Sequence, residues 1–158
     1  MDEIKQFHIE LNNELLSILD FWIANTTDER NSGFVGRINH ENQVVHGAEK
    51  GAVLNSRILW TFAAAFNHTG DKKYLEIADR AYVFIRDKFF DKEFGGLYWA
   101  LDSLGNPINT RKQIYAQGFG IYGLSEYFKA CGNRESLHLA LELFECIEKY
   151  SYDPFHGG

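Results

Sequence analysis

Apolar and polar positions change rhythm along the chain in a regular order. From Lys50 to Thr69 apolar or small residues run almost all round a helical wheel: Val53, Leu54, Ile58, Leu59, Trp60, Phe62, Ala63, Ala64, Ala65 and Phe66. Gln113 to Cys131 does the same with Ile114, Tyr115, Ala116, Phe119, Ile121, Tyr122, Leu124, Tyr127 and Phe128. Asp71 to about Phe90 keeps its apolar residues to one stripe, Tyr74, Leu75, Ala78, Ala81, Tyr82 and Ile85. Asn133 to Tyr150 repeats that habit with Leu137, Ala140, Leu141, Phe144 and Ile147. A helix apolar on every side is buried on every side, whereas a striped one keeps a face in solvent. With a leading helix from about Glu3 to Asn25, the order predicted is outer, inner, outer, inner, outer. Gly70 and Gly132 stand as helix stops, and Asp71 and Asn133 as the caps that start the next helix.

Before each inner helix the pattern turns polar and alternating. Phe34 to Val45 reads as a short hairpin turning near Glu41-Asn42. Leu97 to Ile108 reads as another, turning at Leu104-Gly105-Asn106-Pro107. These excursions open on a phrase that recurs about every 62 residues, at Asp28 (Asp28-Glu29-Arg30-Asn31-Ser32-Gly33), Asp91 (Asp91-Lys92-Glu93-Phe94-Gly95-Gly96) and Asp153 (Asp153-Pro154-Phe155-His156-Gly157-Gly158). A period of that size marks a two-helix repeat. Its loops gather over the start of the inner helices, where a site would lie.

Composition narrows the function classes. The 158 residues are 45% hydrophobic and 24% charged, a globular balance. A net charge of −6 disfavours a nucleic-acid backbone as partner. Two cysteines, Cys131 and Cys146, exclude a disulfide scaffold and read as inert buried thiols. The acidic start Met1-Asp2-Glu3 is unlike a signal peptide, and Leu15 to Ala24, broken by Asp20, is too short to span a bilayer. A cytoplasmic protein with no membrane partner is expected. Aromatics make up 15%, which suits both sugar stacking and helix packing.

Arg57 is the most informative position. It lies two turns into an inner helix, where an arginine either pairs with a core carboxylate or faces a cavity as an anion clamp able to stabilise an enediolate. Tyr115 opens the second inner helix; it is either a core tyrosine or a group that hydrogen-bonds a sugar hydroxyl while its ring packs on the sugar face. Trp60, Phe119 and Tyr122 share these two readings, core packing ahead of sugar contact. His40 and His46, near Glu41 and Glu49, match no compact ligand motif, so no metal site is expected. His8, His68 and His138 read as surface or capping residues. Asp91, Glu93 and Asp102 could serve a hydrolase, but the repeat position of Asp91 favours a structural role.

The run Lys50-Gly51-Ala52-Val53-Leu54-Asn55-Ser56-Arg57-Ile58-Leu59-Trp60 resembles the inner-helix signature of the N-acylglucosamine 2-epimerase superfamily, in a form most like its cellobiose 2-epimerase branch. Phe94-Gly95-Gly96-Leu97-Tyr98-Trp99 and Tyr115-Ala116-Gln117-Gly118-Phe119 extend the likeness. The resemblance implies an (α/α)6 barrel, all-α, of which this chain would be a partial toroid with short hairpin loops at one end. Six repeats need about 370 residues, so two and a half repeats predict the N-terminal part of one larger domain. It also implies inversion at C2 of the reducing-end glucose of a β-1,4-linked disaccharide through an enediolate, without cofactor or metal. On that likeness Arg57 matches the arginine at the C1–C2 oxygens, and Tyr115 the tyrosine at the reducing end. The acid/base histidines belong to later repeats. The isolated chain is therefore expected to be inactive, and its partners to be the remaining repeats or a second copy. Other sugar epimerases or isomerases of the superfamily, a glycoside hydrolase on the same barrel, and a helical-repeat interaction module are the alternatives.

Overall fold

A computed structural model describes residues 2–157. Five α-helices follow in order: α1 (Asp2–Thr26), α2 (Ala52–Thr69), α3 (Lys72–Phe84), α4 (Ile114–Cys131) and α5 (Arg134–Ser151). The expected stops and starts are where the sequence puts them. Gly70 and Gly132 both take φ of 71°, the left-handed conformation glycine adopts without cost. The Asp71 side chain accepts from the Lys73 N–H, and that of Asn133 from the Ser136 N–H.

α2 and α4 lie side by side, with α3 packed against α2 and α5 against α4. From α2 to α5 this is the alternation of inner and outer helices that the periodicity predicts. The two inner helices approach closely at Gly123, where a Cβ would stand 2.6 Å from the Ser56 carbonyl oxygen. Leu59, Phe62, Ala63, Tyr74, Ala78, Ala81, Leu97, Ala116, Leu124 and Leu143 fill the core between them. α1 buries only Leu19 and Thr26.

Several details depart from expectation. The second outer helix does not run on as α to Phe90: Ile85–Phe89 is a π turn, closed by the Phe90 N–H on the Ile85 carbonyl at 3.0 Å. The wider turn brings Phe90 into the core with Phe84, Ile85 and Phe89. The inner helices are not buried on every side: each keeps one face open, since this chain supplies neighbours on the other sides only. On α5, Leu141 and Phe144 are exposed and Leu143 takes the buried place. Cys131 is exposed and Cys146 half-buried, so neither is the buried thiol expected.

The excursions are less regular than hairpins. The first holds a single bridge, Ile38 to Val44, around a turn in which Asn42 takes φ of 60°. The second forms β2 (Ala100–Leu101) and β3 (Pro107–Asn109). A short strand β1 (Lys50–Gly51), leading into α2, joins β2 on its other edge. The three-stranded antiparallel sheet thus spans both units, and the Ala52 N–H closes it on the Trp99 carbonyl at 3.0 Å. No described helix is long and apolar enough to cross a membrane.

Candidate functional site

The recurring aspartates turn out to be brackets. Asp28 accepts the N–H groups of Arg30 and Asn31 with Oδ1, while Oδ2 receives the Lys50 ammonium at 2.7 Å. Asp91 does the same with Glu93, Phe94 and, at 2.7 Å, Lys112. Lys50 is only 1% exposed; it also donates to the Ser32 carbonyl and lies over the Phe84 ring. Burial alone would push both carboxyls up, but the lysine and the backbone N–H donors outweigh it and hold Asp28 and Asp91 below the usual carboxylate range. Each lysine stands two residues ahead of an inner helix. The bracket therefore ties the opening turn of an excursion to the start of the helix that follows.

Gln117 adds a second tie in the second unit. Its Oε1 accepts the Leu97 N–H at 2.7 Å and its Nε2 donates to the Leu97 carbonyl at 2.9 Å, all buried. Asn55 holds the same repeat position in the first unit. Its shorter amide donates to the Gly51 carbonyl instead, and its Oδ1 is buried without a partner.

The open faces of α2 and α4 carry the residues singled out for chemistry. Arg57 is exposed on α2 and forms no ion pair with any described residue. The core carboxylate that would have made it structural is not there. One turn on, the Trp60 ring stacks on Tyr122 with centroids 4.8 Å apart and planes 11° from parallel. Tyr122 meets Phe119 edge-on at 6.4 Å, and Phe119 meets Tyr115 edge-on at 4.9 Å. A continuous aromatic ridge thus crosses from α2 to the first turn of α4. Trp60 and Phe119 are half-buried and Tyr122 is 48% exposed, so on this chain they form a wall rather than a core. Tyr115, 64% exposed, ends the ridge where the excursions gather.

Arg57 and Tyr115 share this face but do not touch through any contact described. Nor are they repeat-equivalent: the place of Arg57 is taken by Phe119 in the second unit, and that of Tyr115 by Val53 in the first. Two cavities of about 330 Å³ lie beside the brackets instead, one against Asp28, His46 and Lys50, the other against Lys112, Gln117 and Cys146.

The remaining candidates separate clearly. All six histidines are exposed; His156 bonds Asp153 and His138 pairs with Glu142. Among the described residues no three His, Cys, Asp or Glu side chains come together as a metal site. Asp91 is committed to its bracket, and Asp102 accepts the N–H groups of Leu104 and Asn106 in the second hairpin turn. That leaves no pair of free carboxylates from this set for a hydrolase.

A family model described as N-acylglucosamine 2-epimerase (GlcNAc 2-epimerase) matches residues 33–158. The chain belongs to the N-acylglucosamine 2-epimerase family. Within it, the chain is 48% identical to a cellobiose 2-epimerase of Bacteroides fragilis over its full length, and spans 40% of that relative. The solved cellobiose 2-epimerase of Bacillus thermoamylovorans B4167 matches 95% of the chain and 39% of its own at 38% identity, with a TM-score of 0.91. That of Spirochaeta thermophila DSM 6192 matches all of it, at 35% identity and a TM-score of 0.93. The fold is that of a partial (α/α)6 toroid.

Sequence reasoning missed the lysine brackets and the Gln117 clamp. Lys50 reads as the first residue of a helix and Lys112 falls just ahead of one, and nothing local marks a partner 21 or 22 residues away. The recurrence of Asp28 and Asp91 with a lysine at nearly equal spacing was the available signal.

Proposed function

We propose that this chain forms the opening wall of a sugar 2-epimerase acting on the reducing-end glucose of a β-1,4-linked disaccharide, cellobiose being the model substrate. The observation that carries the reading is Arg57: exposed and without an ion pair among the described residues, beside an aromatic ridge, on a chain nearly half identical to a cellobiose 2-epimerase. After ring opening, a base removes the C2 proton and its electrons pass into the C1–C2 system. The resulting enediolate takes a proton back at C2 from the opposite face. Arg57 serves this sequence as a fixed, permanently charged donor at the C1–C2 oxygens, where negative charge grows. Tyr115 contacts the reducing-end ring from the rim. By the same family likeness, proton transfer falls to histidines of repeats outside this chain.

The test is conversion of cellobiose to 4-O-β-glucosylmannose by the complete protein. Turnover is expected, and Arg57→Met should lower kcat by about 10²–10³-fold with little effect on folding. Release of free glucose without epimerisation would favour the hydrolase instead, and full activity in Arg57→Met would remove the arginine from the mechanism.

A further inference from the structure

We propose that the Lys112–Asp91 pair is a positioning device that sets the start of α4 and thereby aims Tyr115 at the substrate. Asp91 is almost fully buried, with Oδ1 spent on the opening turn and Oδ2 on the Lys112 ammonium at 2.7 Å. The ammonium also sits 4.2 Å from the Tyr98 ring centroid, so it is held from two sides. Lys112 lies three residues ahead of Tyr115. The Gln113 side chain makes no cap bond, so it does nothing to fix the helix start. The first unit is built alike: Asp28 holds Lys50, two residues ahead of α2, which carries Arg57.

The two brackets recur, but the two site residues do not: Val53 and Phe119 stand in their repeat places. The device thus belongs to the helix starts, and each start presents a different side chain. A buried ion pair is a weak source of stability because desolvation offsets much of its attraction; setting register is the better-attested use. A displaced Tyr115 would weaken contact with the sugar more than it would change the proton transfers, which other groups perform.

The inference rests on Tyr115 as a substrate contact, and the test separates the two claims. In the complete protein, Lys112→Met should raise KM for cellobiose about tenfold while kcat stays within about threefold. Asp91→Asn, which keeps an Oδ1 for the turn, should do the same, and Lys112→Arg should restore most of the loss. Lys112→Met should add nothing to the KM of a Tyr115→Ala variant, since it acts through that residue. Amide exchange over 114–118 should rise about tenfold in Lys112→Met, with 52–56 unchanged. A lower Tm with unchanged KM, or a KM effect that persists without Tyr115, would overturn the proposal. If the wild-type protein epimerises nothing, the sugar reading of Tyr115 falls. Amide exchange then still decides whether the pair holds the helix start, and unchanged exchange rejects it.

Discussion

Gln117 is buried on α4, and its amide occupies both the N–H and the carbonyl of Leu97. Removing it leaves two buried backbone groups without partners, each worth about 1–3 kcal/mol. Gln117→Ala should therefore cost about 2–4 kcal/mol in urea unfolding of the folded protein. Asn55→Ala should cost clearly less, because it loses one bond and also removes an oxygen already buried without a partner. At this scale the sequence was only partly legible. Arg57 stood out because a charge in an apolar helix is costly unless it is paired or faces an opening. Gln117 did not, because an amide bonded to backbone 20 positions away leaves no local pattern. Cys131 and Cys146 were misjudged for the opposite reason: a thiol packs like a small hydrophobe, so burial is the default, and here the helix faces they occupy are incompletely covered.

The helices were legible because their ends are marked chemically. Gly70 and Gly132 accept the left-handed conformation that closes a helix, and Asp71 and Asn133 satisfy the first free N–H groups of the next. The short strands were not, since two residues carry no period and β1 looks like a first helical turn. Packing of α2 on α4 depends on Gly123. Gly123→Ala places a methyl against the Ser56 carbonyl, backbone that cannot swing away, so the helices must part. A loss of about 1–3 kcal/mol is expected, read as a lower denaturation midpoint. The brackets bind elements in a pH-dependent way. Asp28 and Asp91 are held below their ordinary carboxyl value of 3.8 in the folded chain. Their contribution is complete above about pH 4 and is lost as pH falls further, through the folded-state values. Asp91→Asn should flatten the acid limb of a Tm-against-pH curve below pH 4 while leaving a constant penalty above it; an unchanged acid limb would contradict this.

At the scale of the molecule, the chain spans about two-fifths of the length of the relatives it matches. The all-round apolar pattern of the inner helices counts neighbours that a six-unit barrel would supply. That is why the sequence implied burial where this chain leaves Trp60, Phe119 and Tyr122 on an open face. α1 likewise exposes Ile4, Phe7, Ile9, Leu11 and Ile18, and α5 exposes Leu141 and Phe144. Apolar surface of this kind drives association. The isolated 158-residue chain should sediment as dimers or larger species; a monodisperse monomer that melts cooperatively would contradict the expectation. The same preparation should show no conversion of cellobiose to 4-O-β-glucosylmannose.

The sheet sets a limit on modularity. β1 leads into the first inner helix yet pairs with the second excursion, and the Ala52 amide is held by Trp99. The natural cutting point suggested by the repeat, at Asp91, therefore does not divide the protein into independent blocks. A piece starting there would lose the strand that covers one edge of β2 and the helix that backs α4. Shuffling or excising single units of such a scaffold must move the seam to a loop that no neighbouring strand crosses.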